Sequence, residues 1–191
     1  MYLVTSGRYQ TPHVSHMEFF EYVLSLHEDA ELVVCVLQSP VTFSDDDLDV
    51  LGDASFARLS KLAADEAKNP LPNWHRFKLM SLALAANENL RGRSHVMMRS
   101  RPELSWTGSV VDLPEDRVWV FNTAYDQEFS TTKAEYYRKR GETVEPLSFT
   151  STADATGTEI RERASKGEDV SRHLPDGCHD YFDAHCRHYY G

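Results

Sequence analysis

Apolar positions along the chain fall into two spacings, and the switches between them mark its elements. Short, nearly continuous apolar runs of strand length recur: Tyr2 to Thr5, "AELVVCVL" (30–37), "SHVMMRS" (94–100), "RVWVFNT" (117–123) and "ETVEPLSF" (142–149). The run at 30–37 is rich in β-branched residues and uninterrupted by polar ones, the pattern of a central strand buried on both faces. Between the runs, apolar residues return at helical spacing. In "HMEFFEYVLSLHE", Phe19, Phe20, Val23 and Leu24 share one face. "ASFARLSKLAADEAK" (54–68) predicts a helix, "NPLP" (69–72) breaks it, and "NWHRFKLMSLALAANEN" predicts the next, with Asn73 as N-cap and Trp74 and Phe77 in the core. "TTKAEYYRKRG" predicts a helix ended by Gly141, and "TGTEIRERASKG" and "CHDYFDAHCRHYY" predict the last two. "SPVTFSDDDLDVLGD" (39–53) and "RPELSWTGSVVDLPED" (101–116) read as loops, the Asp45–Asp47 charges being solvated. The order β-α-β-α-α-β-β-α-β-α-α predicts an α/β fold: a doubly wound, Rossmann-like parallel sheet with helices on both faces, in a single domain over 1–191. In such a sheet a ligand binds at the carboxyl ends of the strands, where strand order reverses.

Composition narrows the partners more than the fold. At 191 residues with 41% hydrophobic and 26% charged residues, the chain has an ordinary globular make-up. A net charge of −10 argues against a nucleic-acid or anionic-membrane surface, which needs a basic patch, yet leaves room for a small phosphate ligand held by a few local cations. No apolar run approaches the roughly 20 residues of a membrane span, and "MYLVTSGRYQ" does not read as a signal peptide. Three cysteines, Cys35, Cys178 and Cys186, make a disulfide framework improbable on composition and fit a reducing cytoplasm. The histidines and cysteines of "CHDYFDAHCRHYY" fit no compact zinc spacing, and the segment reads as a terminal amphipathic helix.

Two stretches carry candidate chemistry. "GRYQTPHVSH" (7–16) lies where the first strand hands over to the first helix, the ligand position of a doubly wound sheet. Gly7 allows close backbone approach and Pro12 stiffens the turn. His13 and His16 bracket a helix N-terminus, whose free N–H groups favour phosphate, and at i, i+3 both imidazoles can donate to one anion. Arg8 supplies a permanently charged fork. The same residues also suit an ordinary surface turn. The second stretch is "ATGTEIRERASKGE" (155–168). Thr156 and Glu159 spell a capping box, which is also how an ordinary helix begins. Thr158, Arg161 and Arg163 nevertheless crowd hydroxyl and guanidinium groups at the positive end of that helix.

Together the two stretches resemble the signatures of the nucleotidylyltransferase superfamily, HxGH and (S/T)-x-(S/T)-x-x-R. The nearer resemblance is to the archaeal-type nicotinamide-nucleotide adenylyltransferases. Their GRFQPxHxGH is matched by "GRYQTPHVSH", their NPFTxxER by "NPLPNWHR" with Arg76 kept, and their SxTEIRRRMxxGExWxxLVP by "TGTEIRERASKGEDVSRHLP". "RKRGETV" (138–144) matches a further segment, and Trp106 falls near their nicotinamide-stacking tryptophan. This chain departs from the pattern at Ser15, where the family has glycine, at His75, where it has glutamate, in the order of "QTPH", in the absence of the family's SAQ segment, and in an insertion at about 40–68.

The resemblance implies transfer of AMP from ATP to nicotinamide mononucleotide, giving NAD and pyrophosphate. It implies that His13 and His16 hold the α-phosphate, that Arg161 and Thr158 hold the leaving pyrophosphate, and that Gly7, Arg8, Tyr9, Gln10, Ser15 and Thr156 complete the nucleotide side. Arg76 and Trp106 would face the acceptor, with Trp106 equally suited to plugging its own loop. Mg²⁺ would arrive with the triphosphate and needs no protein ligand. Homo-oligomerisation follows only by analogy. The departures fall mostly on the acceptor side, so a cytidylyl- or adenylyltransferase with another phosphate acceptor is the second reading. Ser15 motivates a third, a nucleotide-binding sensor without turnover.

Overall fold

The computed structural model describes residues 1–39, 69–102, 106–125, 127–153 and 155–191; the predicted insertion at 40–68, its helix at 54–68 and the Asp45–Asp47 run lie outside them. The described chain runs β1 (Tyr2–Gly7), α1 (Val14–Leu26), β2 (Glu31–Leu37), α2 (Asn73–Ala86), β3 (Ser94–Arg99), α3 (Trp106–Val110), β4 (Arg117–Asn122), α4 (Gln127–Arg138), β5 (Val144–Leu147), α5 (Gly157–Ser165) and α6 (His179–His185). Single 3₁₀ turns cover Ser171–His173 and Arg187–Tyr190.

The strands form one parallel sheet in the order β3-β2-β1-β4-β5. The chain winds outward from β1 through β2 to β3, then returns to lay β4 on the other side of β1. The switch point therefore lies between the carboxyl ends of β1 and β4. Alternate strand residues feed two cores. Leu3, Leu32, Val34, Val36 and Val120 pack with α1, α2, α5 and α6, whereas Val4, Val33, Cys35, Trp119 and Phe121 pack with Ala134, Tyr136 and Tyr137 of α4. Helices thus cover both faces, as the alternation of elements predicts. The α1 residues Phe19, Phe20, Val23 and Leu24 are buried as expected.

Several local expectations are corrected. The 101–116 segment is not all loop: it contains α3, whose Trp106 and Val110 pack on the second core. The C-terminal helix breaks at Cys186, and the 3₁₀ turn that follows carries Tyr190 inward to stack on Phe182 at 5.9 Å. The N-cap of α2 is Pro72; Asn73 is the first helical residue, and its Oδ1 accepts the Ser39 N–H at 2.9 Å. Trp74 is not core but 60% exposed, and Arg76 occupies the fully buried position. The three cysteines are free thiols, all buried. Among the described residues no helix is long and apolar enough to cross a membrane.

Candidate functional site

The loop leaving β1 is held from four directions. Tyr9 adopts a left-handed backbone, φ 49°, that folds its ring back over Gly7. A Cβ on Gly7 would stand 2.9 Å from Tyr9 Cζ, so the close approach that requires glycine there is made by the protein's own ring. Gln10 clamps the segment before α2 with both ends of its amide: Nε2 donates to Leu71 O and Oε1 accepts from Leu71 N–H, each at 3.1 Å. Arg76 donates to Leu71 O at 3.2 Å, Leu37 O at 2.8 Å and Ser39 O at 3.0 Å, and also to Arg8 O and Asn73 Oδ1. Thr11 Oγ1 meets Tyr190 Oη at 2.5 Å, tying the loop to the C-terminal turn.

The loop delivers His13 to the N-cap of α1 and His16 to its first turn. Their rings stack, centroids 3.7 Å apart. His13 N–H donates to His16 Nδ1 at 3.2 Å, so that nitrogen is an acceptor and the neutral ring carries its proton on Nε2. Burial, and secondarily His173, pushes His13 down to about 4. Burial, with His13 beside it, holds His16 well below the usual imidazole range. Both rings are therefore neutral near pH 7. His13 Nδ1 is buried without a hydrogen-bond partner.

Helix α5 approaches the same loop by its N-terminus. Thr156 is the N-cap, accepting Glu159 N–H at 3.1 Å. The reciprocal arm of the expected capping box is taken up elsewhere, because Glu159 Oε1 receives Arg163 Nε at 2.9 Å. Arg161 turns back along the helix: Nη2 donates to Thr158 Oγ1 at 2.9 Å and Nη1 to Gln10 O at 2.5 Å. Gly157 lies directly against the loop, and a Cβ there would come within 2.7 Å of Gln10 O.

The two elements enclose a cavity of about 260 Å³ lined by the 7–11 loop, His13, His16, Gly157, Thr158 and Arg161. Its lining sets the Arg8 and Arg161 guanidiniums, the Thr158 hydroxyl and the His16 Nε2 proton around two helix N-termini, an arrangement suited to a chain of phosphates. Arg8 is lowered to about 10 by burial and by the neighbouring Arg101 and Arg161 guanidiniums; its Nη1 donates to Asn69 Oδ1 at 3.2 Å. Burial also lowers Arg161. Like charges near one another favour an anion between them. A cleft of about 210 Å³ shares Gly7, Tyr9 and His16 with this cavity and continues along the switch point between Phe19, Phe20, Phe121 and Lys133. Lys133 Nζ donates to Ser6 O at 2.8 Å and lies 4.1 Å above the Phe121 ring.

The structure thus brings together Gly7, Arg8, Tyr9, Gln10, His13, His16, Thr158 and Arg161. Other sequence candidates lie elsewhere. Ser15 is buried with its hydroxyl turned to Ala153 O and Ala155 O at 3.2 and 3.0 Å, away from the cavity. Thr156 caps α5. Arg76 is spent on the loop carbonyls. Trp106 packs edge-on against Tyr136 and Tyr137 under the opposite face. Gly157 and Thr11 line the cavity without having been singled out; the signal for Gly157 was its place between two threonines of a phosphate-type motif, whereas nothing local marked Thr11. Among the described residues no group of three His, Cys, Asp or Glu side chains is placed to hold a metal ion.

No protein-family model matches the chain, and no curated protein sequence does. Solved structures do. A crystal structure of a bifunctional NMN adenylyltransferase/ADP-ribose pyrophosphatase from Francisella tularensis, complexed with AMP and a Mn ion, matches 99% of this chain with a TM-score of 0.59 at 11% identity. A second structure of a protein of that description from the same organism matches 99% with a TM-score of 0.58 at 12% identity. The chain spans about half the length of these proteins, 50% and 51%. At such identity the likeness establishes the fold alone, an α/β fold with a Rossmann-like parallel sheet.

Proposed function

We propose that the chain is a nucleotidyltransferase that moves AMP from ATP to nicotinamide mononucleotide, forming NAD and pyrophosphate. One observation carries the reading: the HxxH turn at the head of α1 and the TxxR start of α5, 142 positions apart from His16 to Thr158, face one another across a cavity at the carboxyl edge of the sheet. In this scheme an oxygen of the acceptor phosphate attacks the α-phosphorus, and the bond to the bridging oxygen of the β-phosphate breaks. Pyrophosphate leaves with that electron pair. No covalent enzyme intermediate is needed, so the protein contributes alignment and charge stabilisation. His16 donates from Nε2 to the non-bridging α-oxygens as their charge grows, and His13 reinforces it. Arg161, Thr158 and the free N–H groups of α5 receive the departing pyrophosphate, with Arg8 spanning the two phosphate groups. A divalent cation, Mg²⁺, enters with the triphosphate as part of the substrate. The likeness to an adenylyltransferase solved with AMP is consistent with this.

The second reading keeps the chemistry and changes the acceptor or the nucleotide. It is favoured by the placement of Arg76 and Trp106, neither of which lines the cavity. Purified protein with Mg²⁺ is to be offered ATP or CTP, with nicotinamide mononucleotide or a panel of phosphate acceptors, following pyrophosphate. Release with ATP and nicotinamide mononucleotide is expected, and His16→Ala should cut turnover by about 10²–10³-fold with unchanged circular dichroism. Release with CTP alone refutes adenylyl transfer. ATP binding with no release from any pair leaves the sensor.

A further inference from the structure

Thr11 lines the candidate cavity yet is fully buried, and its hydroxyl turns to another part of the chain: Oγ1 meets Tyr190 Oη at 2.5 Å. The resembled pattern GRFQPxHxGH has proline at this position, and proline offers no hydroxyl, so the tie belongs to this chain's own departure at "QTPH". Tyr190 stands on a firm base. Its ring stacks on Phe182 at 5.9 Å, and Tyr189 beside it packs on His75 at 5.4 Å. Arg187 opens the 3₁₀ turn and pins it, donating to Glu168 O at 2.9 Å and to Asp183 Oδ1 at 3.0 and 2.7 Å. Burial raises the Tyr190 phenol above its ordinary value, so it keeps its proton and can donate to Thr11. Arg161 and Arg76 lie near enough to act on that phenol electrostatically.

The residues flanking Thr11 carry the two arms of the cradle. Gln10 O, on the preceding residue, accepts Arg161 Nη1 at 2.5 Å, and His13, two residues on, is the N-cap of α1. We propose that Tyr190 is a positioning residue of the nucleotide site: through the Thr11 hydroxyl it fixes the backbone between Gln10 and His13, and so sets Arg161 and the His13–His16 pair at one spacing. The inference rests on the nucleotidyl reading and adds to it the element that aligns the two halves of the site. Tyr190 does not line the cavity, so its effect passes through Thr11. A triphosphate spans both arms, and a shift of the 10–13 backbone against α5 weakens its hold on both at once.

The test uses the whole protein with Mg²⁺, titrated with ATP by calorimetry, and follows pyrophosphate release and the urea midpoint of each variant. Tyr190→Phe keeps the ring on Phe182 and removes the hydroxyl; Thr11→Val keeps the branched shape and removes the other. Each should weaken ATP binding on the order of tenfold, as expected for losing one buried hydrogen bond, and the double variant should lose no more than either alone. Thr11→Ser, which retains a hydroxyl, should restore binding. Turnover should fall in step. If Tyr190→Phe lowers only the urea midpoint and leaves ATP binding unchanged, or if the two losses add, the positioning role is refuted. Should Tyr190→Phe fail to fold by circular dichroism, Thr11→Val against Thr11→Ser decides, and equal ATP binding by those two overturns the proposal. A wild type that binds ATP without releasing pyrophosphate refutes the transferase reading alone, with the ATP comparison still deciding on Tyr190. A wild type that binds no ATP overturns both.

Discussion

Ser15 is where a single side chain most changes the expected picture. A serine in the glycine position of HxGH is expected to crowd a nucleotide. Instead its hydroxyl points to Ala153 O and Ala155 O, the residues that lead into α5. Ser15 therefore acts as a strut between the two halves of the cradle. Ser15→Ala should lower stability by about 1–2 kcal/mol in urea unfolding, because two carbonyls lose their shared donor. Ser15→Gly should not tighten ATP binding. Tighter binding by the glycine variant would restore the view of Ser15 as an obstacle. Arg76 makes the complementary point about what can be read in advance. It lies on the stripe formed by Leu79, Met80, Ala83 and Leu84, so its burial follows from helical spacing, and Trp74 falls off that stripe. Residue type suggested a buried tryptophan and the resemblance an acceptor-facing arginine, whereas helical position buries Arg76 and exposes Trp74.

At the scale of elements, the long strands and periodic helices were legible, and so was the start of α5, because capping chemistry is written in adjacent residues. Helix α3 was not, since one and a half turns offer too short a window for a period to show. The clamps on the 7–11 loop were also hidden: Gln10 reaches Leu71, Thr11 reaches Tyr190 and Arg161 reaches Gln10, all across sequence separations that no local pattern encodes. These clamps make the docking of α5 on the loop a tight fit at Gly157. Gly157→Ala should force α5 and Gln10 apart, since the new Cβ meets backbone oxygen at 2.7 Å rather than a flexible side-chain end. The expected result is weaker ATP binding on the order of tenfold, with a loss of stability of about 1–3 kcal/mol. Titration of ATP into the variant alongside its urea midpoint checks both. Unchanged ATP binding would show that α5 does not need this contact to form its side of the site.

Across the whole molecule, a chain with a net charge of −10 gathers Arg8, Arg101, Arg161 and a pair of neutral histidines at one edge of its sheet. Electrostatic stability should bear the mark of that arrangement. Burial lowers His13 to about 4 and holds His16 well below the usual imidazole range, so the native state takes up protons later than the unfolded chain, whose histidines titrate near their ordinary 6.5. Where the unfolded state binds more protons, stability rises with pH. The free energy of unfolding should therefore fall as pH is lowered from 6.5 towards 4. His75, lowered by burial and by His185 and His188, acts in the same sense. Burial raises Glu18, but the hydrogen bonds from Ser151, Thr152 and Ala153 together outweigh it and hold the carboxyl below its ordinary value, so its contribution is lost in a lower window, as pH drops through its depressed native value. Urea midpoints at pH 7, 6 and 5 separate these effects, because Glu18 is still ionised over that range. The wild-type midpoint should decline across it, and the His13→Asn/His16→Asn double variant should decline distinctly less. An equal slope in both proteins would mean that the two imidazoles take up protons in the native cradle as readily as in the unfolded chain, and the burial that keeps the His16 ring a neutral donor would be refuted.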